Sequence, residues 1–292
     1  GRDWTCFTAD NYAALLLVDP EEAYFEREIV KLATDVYTKG LSLVVVAEWY
    51  NRHRMEKLVF LDQNTQSWWK PQTGGANLPE LNRVLAPFHI QLSDRILDAV
   101  VKTAHGPVKY ESGSSILTFP KGGYLVSTLA KDAVSGYEKF FPILGAYRTG
   151  SAPGAGRVAV LGDSNCLDDN HRRGKACFEV MDAMLAFACL NQTDTALFPD
   201  ALRLTTAFRC DLGQAPVAPD TVQFHKYSSV RAPPTPPDST SAATNDAVNR
   251  ALLGLNRNEK RAPECMAGMD ESLAANASEL TPKVNHSDAR HN

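Results

Sequence analysis

Two continuous apolar runs of strand length, residues 13–18 and 41–46, bracket a segment with helical periodicity. In it Phe25, Ile29, Leu32, Ala33 and Val36 recur at the spacing of one helical face. Ahead of them Asp19 precedes Pro20, with Glu22 three residues beyond the Asp, which predicts an N-cap, a first-turn proline and a capping-box partner. Lys39 and Gly40 predict the other end of the helix. Because both runs are apolar throughout rather than alternating, each is expected to be covered on both faces, as in a parallel sheet joined by a right-handed crossover.

The same order returns later in the chain. Arg157–Leu161 reads as a strand that breaks at Gly162, a polar loop follows from Asp163, and Phe178, Met181, Leu185 and Ala188 recur at helical spacing. Shorter strands are expected at 115–119, 124–128 and 143–147, punctuated by Gly122, Gly123 and Gly145. The expected fold class is α/β: a mostly parallel sheet flanked by helices, Rossmann-like or amidotransferase-like, with some antiparallel edge. Any ligand would lie beyond the carboxyl ends of the strands. This domain is expected to occupy residues 1–194. Residues 195–292 include Pro233, Pro234, Pro236 and Pro237 and then a Ser, Thr, Ala and Asn stretch, so they are expected to form a largely disordered tail, with a short helix near 245–255.

Composition narrows the function classes. Of 292 residues 44% are apolar and 22% charged, which excludes collagen, coiled coil and a wholly disordered chain. Thirty Lys and Arg against 34 Asp and Glu give a net charge of −4, so no nucleic-acid partner is expected. The longest apolar runs, residues 12–18 and 41–49, fall short of the ~20 residues a membrane span needs, so no direct span is expected. The chain starts at Gly1 with no basic and apolar leader, which suggests a piece of a longer protein.

Candidate chemistry concentrates in residues 158–171, VAVLGDSNCLDDNH. Gly162, Asp163 and Ser164 stand where an α/β enzyme sets a nucleophile, and Ser164 with His171 would define an autonomous Gly-Asp-Ser-type esterase. Only three residues separate Ser164 from Asp168, however, so the loop must double back to bring His171 onto the serine, and no oxyanion hole is identifiable. The competing expectation is a tight turn in which Asp163 and Ser164 cap backbone. A Gly-x-Ser-x-Gly elbow is absent, since Cys166 stands where its second glycine belongs. Cys166 is a candidate thiol nucleophile with His171 as base. Alternatively, the Cys166 to Cys177 interval suits a disulfide closing the loop, worth about 3 kcal/mol in an oxidising compartment. The six cysteines show no zinc spacing, so neither a metal nor a cofactor is expected. Cys189 fits a buried thiol.

Sequons at Asn191, Asn276 and Asn285 offer N-glycosylation sites and, with the cysteine pair, favour a secretory lumen. Trp68 and Trp69, in QSWWKPQTGGAN, either fold onto their own domain or form an aromatic recognition surface. The second outcome would make the chain a substrate-recruiting binding module. His53, His89, His105 and His225 have no partner spacing and are assigned no chemistry.

Five segments in order, LLVDPEEAYF (16–25), GLSLVVVAEWYN (40–51), WWKPQTGGAN (68–77), FPILGAY (141–147) and GDSNCLDDNHR (162–172), resemble the membrane-bound transcription factor site-1 protease family of subtilisin/kexin-type serine endopeptidases. The resemblance covers about residues 5–190 and the region after the catalytic domain only. It implies a parent serine protease, membrane-anchored in the endoplasmic reticulum and Golgi, that processes membrane-bound transcription factors. No subtilase Asp, His and Ser blocks are present here, so no catalytic residue carries over and Ser164 is not the protease nucleophile. By resemblance the chain is a non-catalytic luminal accessory domain, inactive alone. Its implied partners are the parent's subtilisin-like catalytic domain, which it stabilises or whose substrate it helps to position, and membrane-bound transcription factor precursors.

Overall fold

The computed structural model describes residues 6–104, 106–152, 154–168 and 176–218. In chain order these form β1 (Ala14–Val18), α1 (Glu26–Thr38), β2 (Ser42–Val46), α2 (Arg52–Glu56), β3 (Phe60–Asp62), β4 (Ser67–Trp69), α3 (Leu78–Leu85) and β5 (Gln91–Leu92). There follow β6 (Leu97–Thr103), β7 (Gly106–Gly113), β8 (Ile116–Phe119), β9 (Tyr124–Asp132), β10 (Glu138–Arg148), β11 (Arg157–Leu161), α4 (Ala176–Leu190) and β12 (Phe208–Arg209). Seven strands make the main sheet in the order β1-β2-β11-β10-β9-β6-β7. β1, β2 and β11 run parallel, and the remaining four extend the sheet antiparallel. The α/β expectation holds, with the parallel strands together at one side.

Alternation along β2 shows why this sheet is sandwiched. Leu43 and Val45 point into a core with Ile29, Leu32 and Val36 of α1 and Leu81 and Leu85 of α3. Val44 and Val46 point the other way, onto Val180, Met184 and Phe187 of α4. All five β2 residues are buried, and each valine or leucine so removed from water contributes roughly 1.5–3 kcal/mol. Ser42, at the strand's start, fastens the second layer: its hydroxyl donates to the Ala188 carbonyl (2.8 Å) and accepts from the Arg157 N–H (3.1 Å).

Three expectations change. β1 lies at the sheet edge, and Leu16 and Val18 are 50% and 47% exposed, because α4 covers β2 and β11. An apolar run reports β propensity but not which neighbours a strand acquires. Helix α1 starts at Glu26 rather than after Asp19; the Glu28 carboxylate accepts the Phe25 N–H (2.8 Å), and Phe25 itself is exposed. Of the expected α4 face, Ala188 is buried and Met181 and Leu185 pack at the edge of the core, but Phe178 is exposed; the face centres instead on Cys177, Val180, Ala183, Met184 and Phe187, because this helix is apolar nearly all round and periodicity only partly identified the inner side.

The fold continues beyond residue 194. Leu197 and Phe198 are buried, and β12 pairs with β8. The rest of the expected tail, including its short helix, lies outside the described residues.

Candidate functional site

The carboxyl ends of the three parallel strands bring together residues far apart in the chain. Asp19 follows β1 directly, Glu48 lies just after β2, and Gly162, Asp163 and Ser164 follow β11. The Ser164 hydroxyl donates to Glu48 Oε1 at 3.0 Å and also lies within hydrogen-bonding reach of the Asp19 carboxylate. Asp19 in turn accepts the Glu48 N–H at 2.9 Å from a left-handed backbone conformation, φ 40°. Burial raises the Asp19 carboxyl above its ordinary range, partly offset by the Ser164 hydroxyl and by the Glu48 N–H.

Asp163 is fully buried beside this pair. Its two oxygens accept the N–H groups of Glu111 and Asn165, each at 2.9 Å, and the Asn165 amide donates to the Glu111 carbonyl at 2.8 Å. Asp163 thus fastens the loop after β11 to β7. Burial pushes its carboxyl up to about 7; the two backbone donors oppose the rise, and the charges of Glu48 and Asp19 add to it. The Tyr110 hydroxyl donates to the Ser114 carbonyl under the same loop.

Two glycines let the backbone pass close beside the cluster. A Cβ on Gly162 would lie 2.3 Å from the Tyr110 hydroxyl and 2.4 Å from the Ser114 carbonyl oxygen. A Cβ on Gly75 would lie 2.4 Å from both Cβ and Oε2 of Glu48. The 71–76 loop therefore rests on Glu48, held by the Gly75 N–H donating to the Trp49 carbonyl at 2.8 Å.

Ser164 is 8% exposed, and its hydroxyl is directed at carboxylates. His171, its esterase partner on the sequence reading, lies outside the described residues, as do His105, His225, Asn276 and Asn285. Cys166 and Cys177 are joined by a disulfide, which replaces the thiol-nucleophile reading of Cys166 and ties the start of α4 to the loop after β11. Cys189 is exposed rather than buried. Asn191 is exposed directly after α4, with φ 55°. Trp68 and Trp69 are 71% and 50% exposed, so they do not fold onto their own domain. Among the described residues no group of three or more His, Cys, Asp or Glu is arranged to hold a metal ion.

Sequence reasoning located Asp163 and Ser164 but missed Glu48 and Asp19, which come from strands 116 and 145 residues earlier. The available signal was their position directly after the first two apolar runs, where a parallel sheet places its ligand-facing residues.

Parallel strands with helices on both faces and polar residues gathered at their carboxyl ends define an α/β domain of the Rossmann-like or amidotransferase-like kind. Residues 1–203 match the sequence model of the family described as "MBTPS1, fourth GATase-like domain", and the chain belongs to that family. It is 40% identical over 242 residues to the membrane-bound transcription factor site-1 protease of Homo sapiens, covering 79% of this chain and 22% of that protein. The Mus musculus protein of the same name gives the same figures. Subtilisin-like protease SBT6.1 of Arabidopsis thaliana is 41% identical over 237 residues, with 79% and 23% covered. The chain thus spans less than a quarter of the length of these relatives, and is a site-1 protease-related accessory domain. No described helix is long and apolar enough to cross a membrane.

Proposed function

We propose that the chain is a non-catalytic accessory domain of a site-1-protease-like serine endopeptidase in the lumen of the endoplasmic reticulum and Golgi. It docks on the parent's subtilisin-like catalytic domain, stabilises it and helps to position membrane-bound transcription factor precursors. The carrying observation is the strand-end crevice, where an α/β enzyme would hold its substrate. Here Ser164 is committed to Glu48, and Gly75 is packed against the same carboxylate. The Cys166–Cys177 disulfide and the exposed sequon at Asn191 support an oxidising, glycosylating compartment.

The test uses the human relative in two forms: one lacking the segment that matches this chain, and one carrying this chain in its place. The expected result is that the chimera regains the thermal midpoint and peptide-cleaving activity lost on deletion. Equal stability and activity of the deleted and chimeric forms would overturn the reading.

A further inference from the structure

The ribbon of β3 and β4 is built unlike the rest of the fold. Phe60 pairs across the ladder with Trp69, and Leu61 with Trp68, yet no third strand joins the ribbon among the described residues. Successive side chains point to opposite faces, so each face of the ribbon carries a Trp and a large apolar partner. Leu58, Val59, Phe60, Leu61, Trp68 and Trp69 are all between 38% and 71% exposed. A free two-stranded ribbon is marginal in water, and this one is held in shape at its tip. The Asp62 carboxylate accepts the N–H groups of Asn64 and Thr65 and the Thr65 hydroxyl, and the Trp69 indole N–H donates to Thr65 Oγ1 at 3.1 Å. The Trp69 polar atom is thereby satisfied locally while half of its side chain remains in water. Rings positioned in advance lose little freedom on binding.

We propose that this ribbon is the docking element of the domain, seated in an apolar cleft of the protease domain of the same polypeptide. The proposal rests on the accessory reading above and names its surface. The exposed apolar area of the six side chains is roughly 600 Å². That falls short of the ~800 Å² per partner of a stable complex between free proteins or between two copies. It suffices for a contact within one polypeptide, where such interfaces start at about 600 Å² and the tether supplies a high effective concentration. Most of the human relative lies outside the 22% that this chain matches, so the polypeptide has the material to provide that cleft. The Asp62 carboxylate at the tip argues against insertion into a bilayer. Lys57 and Lys70 stand at the open end, so the complementary cleft has an apolar floor and an acidic rim.

The experiment places photoreactive benzoylphenylalanine at position 68 of the full chimera, with positions 16 and 140 as exposed apolar controls. Crosslinking from 68 to the protease domain, and not from 16 or 140, is the expected result. Crosslinking to that domain from 16 or 140 but not from 68 would overturn the ribbon while leaving the accessory reading intact. No crosslink to the protease domain from any position would overturn both. A crosslink from 68 to a second copy or to lipid would overturn the choice of partner. In a second measurement, benzoylphenylalanine at position 61 of the full chimera crosslinks to the protease domain at least tenfold less in the double variant Trp68→Ser, Trp69→Ser, with the melting midpoint of the isolated chain unchanged. Undiminished crosslinking would overturn the proposal.

Discussion

The strand-end cluster and the β3–β4 ribbon both concentrate residue types that draw attention in a sequence, and the fold treats them oppositely. At the cluster, Ser164 and Asp163 are buried and Glu48 and Asp19 half-buried, bound to one another and to neighbouring backbone, with the Gly75 loop resting on Glu48. In the ribbon, Trp68 and Trp69 are held in place at the tip and presented to solvent. Residues suited to catalysis serve here as fasteners between strand ends, and the aromatic residues suited to a core stand outside it. Binding surface and reactive groups are therefore separate problems in this molecule, and substitutions should separate them.

The largest effect is expected from Gly162→Ala, which drives a methyl group into the Tyr110 hydroxyl and the Ser114 carbonyl. Stability should fall by about 3 kcal/mol in urea titration. A fall of less than about 1 kcal/mol would mean that the strand ends are loose rather than fastened. Ser164→Ala leaves Glu48 and Asp19 without their shared hydroxyl and should cost about 2 kcal/mol, with the fold retained by circular dichroism.

Proton linkage gives the next prediction. Asp163 is raised to about 7, so the folded chain keeps a proton that the unfolded chain, titrating near 3.8, releases. The resulting stabilisation is complete below the unfolded value and is lost as pH rises through about 7. The slope is about 1 kcal/mol per pH unit inside that window. Asp19, also raised by burial, acts in the same direction. Glu48 and Asp19 face Asp163 from the other two strand ends, and Tyr110 and the Lys109-paired Glu111 face it from β7. The urea midpoint should be higher at pH 5.5 than at pH 8, and Asp163→Asn should flatten the profile. The smallest effect belongs to the ribbon: the Trp68→Ser, Trp69→Ser variant should change the isolated chain's stability by no more than about 0.5 kcal/mol.

The sequence was informative where local pattern and final environment agree. β2 is covered on both faces as its unbroken apolar run predicts, and the interval between Cys166 and Cys177 corresponds to a disulfide. It misled at β1, whose run is just as apolar but lies at an edge, because hydrophobicity does not encode strand order. It misled again at Asp19, which has every local mark of a helix cap. Its carboxylate is used instead by the Glu48 N–H, a tertiary bond that overrides the cap. Half of the strand-end cluster was legible because Asp163 and Ser164 are adjacent. Glu48 and Asp19 join them only through the parallel pairing of β1, β2 and β11. The exposure of Trp68 and Trp69 was one of two open outcomes, since nothing local distinguishes an aromatic pair that folds inward from one that is displayed.

The most direct measurement is intact mass after treating the purified chain with a fluorophosphonate. A buried hydroxyl that donates to the Glu48 carboxylate should leave the mass unchanged, and Ser164→Ala should behave identically. An adduct mapped to Ser164 and lost in Ser164→Ala would contradict the account and reveal a working nucleophile at the strand ends.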